Sequence, residues 1–358
     1  MALYFFLATL FLSFGLTILS WKIALKKKFF DYASEPRKIH HIPVPNTGGI
    51  AFFVAFWLVV LAFVLINNTS GFYLKYLIGL FLSSLLLFVA STIDDRKRLA
   101  PGEKIIFQII AAVIIILSGI GVKYITNPLG GFFYLGQIQI PLEIAGAIYH
   151  LTLWADLLAL LWIIGMINIV NFLDGLDGLA GGVSAIAFFI IYLLSISPAV
   201  EQPLSAIIAL IACGAILGFL PWNLNPAKIF MGDVGSQFLG LVLAVLAIIT
   251  GSKIATALLV LGLPIFDGLW VVFSRAINGK APWTADRDHL HHKLLDLGLS
   301  RRFIVIIFWL ITAAFGAIAL TLNTQLKLIA IISLLIFLTI SMGVISALAK
   351  NRKRVDLV

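Results

Sequence analysis

Residues 151–182 read LTLWADLLALLWIIGMINIVNFLDGLDGLAGG. Its first twenty residues are predominantly apolar, and a helix of about 20 such residues crosses roughly 30 Å of hydrocarbon. The composition then reverses. Asn168, Asn171, Asp174 and Asp177 recur at every third position, with Gly175 between the last two and Gly178 and Gly181-Gly182 after them. On a helix each such step drifts by about 60°, so neighbours touch but the four do not share one face. The glycines allow the helix to break into a loop before the next apolar run. The stretch therefore predicts a membrane-crossing helix that ends in a polar cradle. The cradle leads into the N-terminus of a following helix, which can bind an anion. Amides and carboxylates at this density beside hydrocarbon are expensive and point to a function.

The rest of the chain fits that reading. Of 358 residues, 61% are hydrophobic and 11% charged, and mean hydropathy is +1.10. Soluble domains carry about 25% charged residues. The apolar runs are too long for the alternating strands of a membrane barrel, so the fold class is all-α and polytopic. Eleven transmembrane segments are predicted, near 3–25, 48–66, 72–93, 104–122, 151–170, 181–197, 203–220, 236–251, 254–274, 303–321 and 327–348. The first lacks a basic leader and a clear cleavage site, and reads as a retained helix. With the N-terminus periplasmic and the C-terminus cytoplasmic, only Lys75, Lys123, Lys253 and Lys327 of the 25 Lys and Arg fall outside, as the positive-inside rule requires. The net charge of +9 is then a topology signal and not a nucleic-acid footprint. Residues 1–358 read as one integral membrane domain. Residues 123–150 include GGFFYLGQIQIPLEI, whose alternation predicts one small periplasmic β-hairpin around 130–144, turning near Gly136. The lone Cys213 lies in an apolar run and reads as a packed thiol.

Polar chemistry gathers in five inner loops: 26–47, 94–103, 171–180, 221–235 and 275–302. Twelve of the 16 acidic residues fall on this side, although acidic residues contribute little to topology. Asp94, Asp95, Asp174, Asp177 and Asp233 end or begin three different predicted helices. Two carboxylates about 4 Å apart repel by roughly 4 kcal/mol at an effective dielectric of 20. A set brought together must take up protons or hold a divalent cation, and oxygen ligands suit Mg²⁺ or Mn²⁺.

Three further segments carry the detail. In IDDRKRLAPGEK (93–104), adjacent Asp94 and Asp95 cannot point the same way on a helix, so their roles should differ; Lys104 could meet a phosphate or snorkel. In PWNLNPAKIFMGDVGS (221–236), Gly232 and Gly235 flank Asp233, Ser236 is the expected N-cap, and Phe230 could stack on a base or pack in the core. In DHLHHKLLDLGLSRR (288–302), His289, His291 and His292 come without Cys or an HExxH spacing. With Arg301 and Arg302 nearby, they suit diphosphate better than zinc, and a solvated amphipathic helix is the other alternative. No phosphate-binding GxxxxGK[ST] loop or dinucleotide fingerprint is present.

Taken together and in order, IDDRKRLAPGEK, NIVNFLDGLDGLAGG, FMGDVGS and DHLHHKLLDLGLSRR resemble the polyprenyl-phosphate N-acetylhexosamine-1-phosphate transferase family. RKIHHIPVPNTGG (37–49) is similar to two branches of it, and DHLHH with LGLSRR resembles the bacterial undecaprenyl-phosphate GlcNAc-1-phosphate transferase branch. The related branch is the phospho-MurNAc-pentapeptide translocase.

That resemblance implies transfer of N-acetylhexosamine-1-phosphate, with GlcNAc favoured over GalNAc, from a UDP-sugar to undecaprenyl phosphate. UMP leaves, and the lipid diphosphate-sugar starts a cell-envelope glycan such as teichoic acid or O-antigen. The implied cofactor is Mg²⁺ or Mn²⁺. Implied catalytic residues are Asp94, Asp95 and Asp174, and implied metal ligands are Asp233 and Asn171. Implied substrate contacts are Lys104, Asn168, Asp177, Asn223, Phe230, His289, His291, His292, Arg301 and Arg302. The implied partners are the UDP-sugar, the polyprenyl phosphate, bilayer lipid and, as an open alternative, a second copy of the chain, but not nucleic acid. The rival reading from another class is a transporter, for which Asp267, inside a predicted span, is the pertinent residue.

Overall fold

The computed structural model describes residues 1–30, 43–69, 71–97, 99–127, 131–144, 147–198, 200–250, 254–279, 281 and 288–355. The middle of the 26–47 loop and residues 282–287 of the 275–302 loop lie outside the described residues.

Among the described residues the protein is mainly helical, with one β region. Four helices come first: α1 (Ala2–Lys27), α2 (Gly48–Ile66), α3 (Gly71–Lys97) and α4 (Pro101–Leu117). Strands β1 (Tyr124–Thr126), β2 (Phe132–Tyr134), β3 (Gln139–Ile144) and β4 (Ala147–Thr152) follow. Then come α5 (Leu153–Leu173), α6 (Leu179–Ser195), α7 (Pro203–Asn223), α8 (Gly232–Ile249), α9 (Ile254–Val260) and α10 (Gly262–Ile277). The chain finishes with α11 (Leu290–Asp296), α12 (Arg301–Thr321) and α13 (Thr324–Val355). Eight of these are long and apolar enough to cross a membrane by length and composition. Helices α4 and α6 are shorter at 17 residues, and the predicted segment 254–274 is broken at Leu261 into α9 and α10.

Helices α7 and α8 form the centre: 83% of the most apolar window of each is buried inside the protein, against 17% for α13. Such packing in hydrocarbon needs close backbones, because lipid tails are as apolar as leucine. α1 meets α7 that way. Its Thr9, Ser13 and Thr17 are fully buried at four-residue spacing. A side chain at Gly214 would stand 2.6 Å from Phe6 O, and one at Gly218 would be 2.8 Å from Ser13 Cβ. Cys213 is buried in α7, as its apolar run predicts.

The β region corrects the expectation of one hairpin turning at Gly136. Two antiparallel hairpins form: Tyr124 lies opposite Tyr134 in the first, and Gln139 opposite Thr152 in the second. Gly136 sits in the turn that joins them. Alternation marks a strand but not its partner. Here the segments before and after the alternating run supplied the pairing strands.

Connectivity places these hairpins away from the predicted chemistry. α4 runs from Lys104 towards the first hairpin, and α5 returns from the second hairpin to Asp174. The turns α3–α4, α5–α6 and α7–α8 therefore lie together at the other end of the bundle.

Candidate functional site

The site begins with the turn between α3 and α4. Asp94 Oδ1 accepts the Leu99 backbone N–H at 2.8 Å, which closes the turn. Pro101 opens α4, and Glu103 Oε2 accepts the Ala100 N–H at 2.7 Å. This start aims Lys104 back across the turn, where its ammonium pairs with Asp94 Oδ2. The same ammonium reaches Asp233 Oδ2 at 3.5 Å, at the start of α8. Asp95, about 100° further round α3, is exposed. The two adjacent acids are thus separated into different environments, as their spacing required.

The end of α5 adds the next contacts. Asn171 Nδ2 donates to Asp233 Oδ1 at 3.1 Å and to Ser236 Oγ at 2.8 Å. Ser236 is therefore not the N-cap expected from sequence. α8 already begins at Gly232, and Ser236 Oγ lies one turn inside it, donating to Gly232 O at 3.2 Å. Asn168 Nδ2 donates to Gln108 Oε1 at 2.7 Å, which ties α5 to α4 one turn beyond Lys104. Gln108 was not read as a site residue. Its signal was its four-residue spacing from Lys104.

Half-buried Asp174 follows directly after α5. Burial, then the charges of Asp233 and Asp177, push its carboxyl well above the usual carboxylate range. Asp177 Oδ2 accepts Asn225 Nδ2 at 2.8 Å and the Ala227 N–H at 3.2 Å. Gly178, at φ +81°, starts α6. Its N–H donates to Asn223 Oδ1 at 3.0 Å, and Asn223 Nδ2 donates to Ile229 O at 3.0 Å. Asn223 is buried and, in this structure, ties α6 to the 224–231 loop.

That loop is also held by α2. Phe230 N–H donates to Pro45 O at 2.7 Å, and Gly48 N–H donates to Phe230 O at 2.9 Å. A side chain at Gly48 or Gly49 would collide with the Phe219 ring or with Met231 O. This accounts for the glycine pair that ends PNTGG. Gly235 admits the close approach of α2: a Cβ there would be 2.8 Å from the Phe52 ring. Phe230 is half-buried.

The histidine segment docks beside Asp174. His289, His291 and His292 are all buried. Among the described residues neither ring nitrogen of His291 has a hydrogen-bond partner. Burial, then His292 and His289, hold its pKa well below the ordinary histidine value. A Cβ on Gly175 would collide with His291 Nε2. Arg302 Nε donates to Asn225 O at 3.0 Å, while Arg301 is half-buried at the start of α12.

The structure thus links Asp94, Lys104, Asp233 and Asn171 directly, with Asp174 inside the electrostatic reach of Asp233. Asn168, Asp177, Asn223, Phe230 and Arg302 each join the surrounding frame through protein contacts of their own. The three histidines stack behind Asp174.

Residues 77–251 match glycosyl transferase family 4. A probable undecaprenyl-phosphate N-acetylglucosaminyl 1-phosphate transferase of Bacillus subtilis is 32% identical over 330 residues, 89% of this chain and 85% of the relative. The chain belongs to glycosyl transferase family 4. A decaprenyl-phosphate N-acetylglucosaminephosphotransferase of Mycobacterium tuberculosis is 33% identical over 78% of this chain and 73% of its own. A phospho-N-acetylmuramoyl-pentapeptide-transferase of Bacillus mycoides is 31% identical over 74% of this chain and 79% of its own. The chain is accordingly an integral membrane phosphoglycosyltransferase of the polyprenyl-phosphate type within family 4.

The donors fit a hard cation in part. Among the described residues no three carboxylates or imidazoles are grouped as a ready-made metal cage. Mg²⁺ is commonly held by one or two carboxylates plus substrate phosphates, and that smaller requirement is met here. Asp233 and Asn171 are in contact at the start of α8, and the Asp174 carboxyl lies within the field of Asp233.

Proposed function

We propose that this family 4 enzyme transfers GlcNAc-1-phosphate from UDP-GlcNAc to undecaprenyl phosphate, on the cytoplasmic face of the bacterial cytoplasmic membrane. The observation that carries it is the bridge of Lys104 between Asp94 and Asp233, completed by Asn171. Four separate helices thereby place a cation, an amide and two acids at one end of the bundle.

In this reading, an oxygen of the lipid phosphate attacks the β-phosphorus of the donor. The bond from that phosphorus to the bridging oxygen breaks, and UMP leaves with the electron pair. Two anions must approach each other, so positioning and charge screening supply most of the rate. Lys104 screens the phosphates and is itself held by Asp94. Asp95, the exposed acid of the pair, is assigned to orienting the acceptor phosphate. Asp233 and Asn171 would hold Mg²⁺ or Mn²⁺, with Asp174 beside them. When bound, such an ion neutralises the diphosphate and stabilises the leaving UMP. Asp177, Asn223 and Phe230 frame the nucleotide end, and the histidines with Arg301 and Arg302 serve the sugar diphosphate. The Lys and Arg asymmetry supports the cytoplasmic orientation.

Purified protein with Mg²⁺, undecaprenyl phosphate and radiolabelled UDP-GlcNAc should release UMP and yield labelled lipid. No labelled lipid from any UDP-sugar would remove the proposal. The Bacillus mycoides relative favours UDP-MurNAc-pentapeptide as the second donor to test. A transporter reading predicts uptake without UMP. The buried Asp267 counts against it, because both its carboxylate oxygens are occupied by the histidine segment.

A further inference from the structure

Asp267 is the carboxylate that the transfer reading leaves without a task. It sits within α10 and is 5% exposed. A carboxylate so placed costs several kcal/mol unless hydrogen bonds compensate it. Both oxygens are engaged. Oδ2 lies 2.9 Å from His289 Nδ1, and Oδ1 accepts the Leu290 backbone N–H at 2.7 Å. Leu290 is the first residue of α11, so one side chain holds both the imidazole and the helix start.

The rings beyond His289 form a stack. Phe172 lies 5.5 Å from His289 between ring centroids. His289 lies 5.8 Å from His291 with the planes 12° apart, and His291 lies 4.3 Å from His292. Phe172 directly follows Asn171 in sequence, and His291 abuts Gly175. α11 is therefore docked on the segment that carries Asn171 and Asp174, while Asp267 grips it from α10. An ionised carboxylate can only accept. Its bond to Nδ1 requires the hydrogen on Nδ1 and leaves Nε2 as the ring's other polar atom. Carboxylate partners of this kind set histidine tautomer and orientation wherever an imidazole must present one chosen nitrogen.

Resting on the transferase reading, we propose that Asp267 is a positioning residue for the transfer. It fixes His289 with Nδ1 protonated, presents Nε2 to the donor's sugar diphosphate, and seats the histidine stack against the Asn171–Gly175 segment.

Asp267→Asn is the sharpest variant. An asparagine has one acceptor oxygen where two donors must be met, so either one bond is lost or its NH₂ donates to Nδ1 and reverses the tautomer. Loss of such an orienting partner typically costs about 10- to 100-fold. The expected result is a kcat lower by that factor and a raised KM for UDP-GlcNAc, with KM for undecaprenyl phosphate unchanged. Asp267→Asn/His289→Ala should be no slower than His289→Ala alone, because the two residues act as a unit. Losses that multiply, or full turnover in the folded Asp267→Asn protein, would overturn the role. If that variant does not fold, ¹⁵N spectra of histidine-labelled wild-type protein decide the matter. Nδ1-protonated His289 supports the proposal, and a hydrogen on Nε2 alone overturns it. Wild-type protein that releases no UMP with any UDP-sugar refutes the transfer reading itself. A wrong tautomer in an active enzyme refutes only the positioning role.

Discussion

Around Asp233, Lys104 is shared between two acids, with the Asp174 carboxyl in the same field; around Asp267, one carboxylate meets two donors and is satisfied. The first centre is partly open, with side-chain exposures of 31% for Asp233 and 35% for Lys104. The second is closed, at 7% and 9% for the Asp267 and His289 side chains. Carboxylates in excess at an accessible place are suited to meeting a cation and phosphates from outside. A carboxylate fully matched in the interior can only orient its neighbours. The same residue type thus serves ligand capture in one place and internal alignment in the other, and the number of donors within reach decides which.

The largest test of that contrast is Asp233→Asn. It removes the charge on which Lys104 and Asn171 converge, and UMP release should fall by about 10³-fold, the upper range for a lost electrostatic group. The fold should survive, since the residue is partly exposed; unchanged turnover would erase the distinction between the two centres. Lys104→Met comes next. It leaves Asp94 and Asp233 without their shared cation, and kcat/KM should fall by about 10²-fold, with a weaker dependence on ionic strength. Gly175→Ala sharpens the join between the centres. Its methyl collides with His291, and overpacking of this kind costs about 1–3 kcal/mol. The thermal midpoint should drop by several degrees and turnover by about tenfold, whereas Gly102→Ala, with open space around its Cβ, should do neither.

The smallest effect concerns pH. His291 is kept neutral in the folded protein because burial lowers its pKa below the ordinary 6.5. The unfolded chain therefore takes up its proton first as pH falls. The stability tied to this group is intact above about pH 6.5 and is lost progressively below it, at no more than about 1.4 kcal/mol per pH unit. Thermal midpoints between pH 7.5 and 5.5 should fall more steeply for the wild type than for His291→Gln. Equal slopes would remove His291 as the cause.

Much of the first centre was legible in the chain, and little of the second. Asp94, Lys104, Asn171 and Asp233 stand at the ends of apolar runs, where a polar residue is conspicuous. The rigid length of each helix then brings those ends to one level. Asp267 was visible as an acid inside a run, but its partner lies 22 residues away across a loop that carries no periodic signal. Gln108 was overlooked although it stands one helical turn after Lys104, and Asn225 because an isolated amide has no pattern until its partner is known. The two hairpins were read as one for the same reason, since strand alternation names no neighbour.

By itself the sequence determined the solvent, the helical class, the sidedness of charge and the acidic segments. These depend on local composition and on the length needed to cross hydrocarbon. Only the tertiary structure decided which acid shares Lys104, that Ser236 serves Asn171 instead of capping α8, and that Asp267 holds the histidines. Those outcomes depend on which helix faces touch, and contacts between residues far apart in the chain arise from packing that no local pattern records.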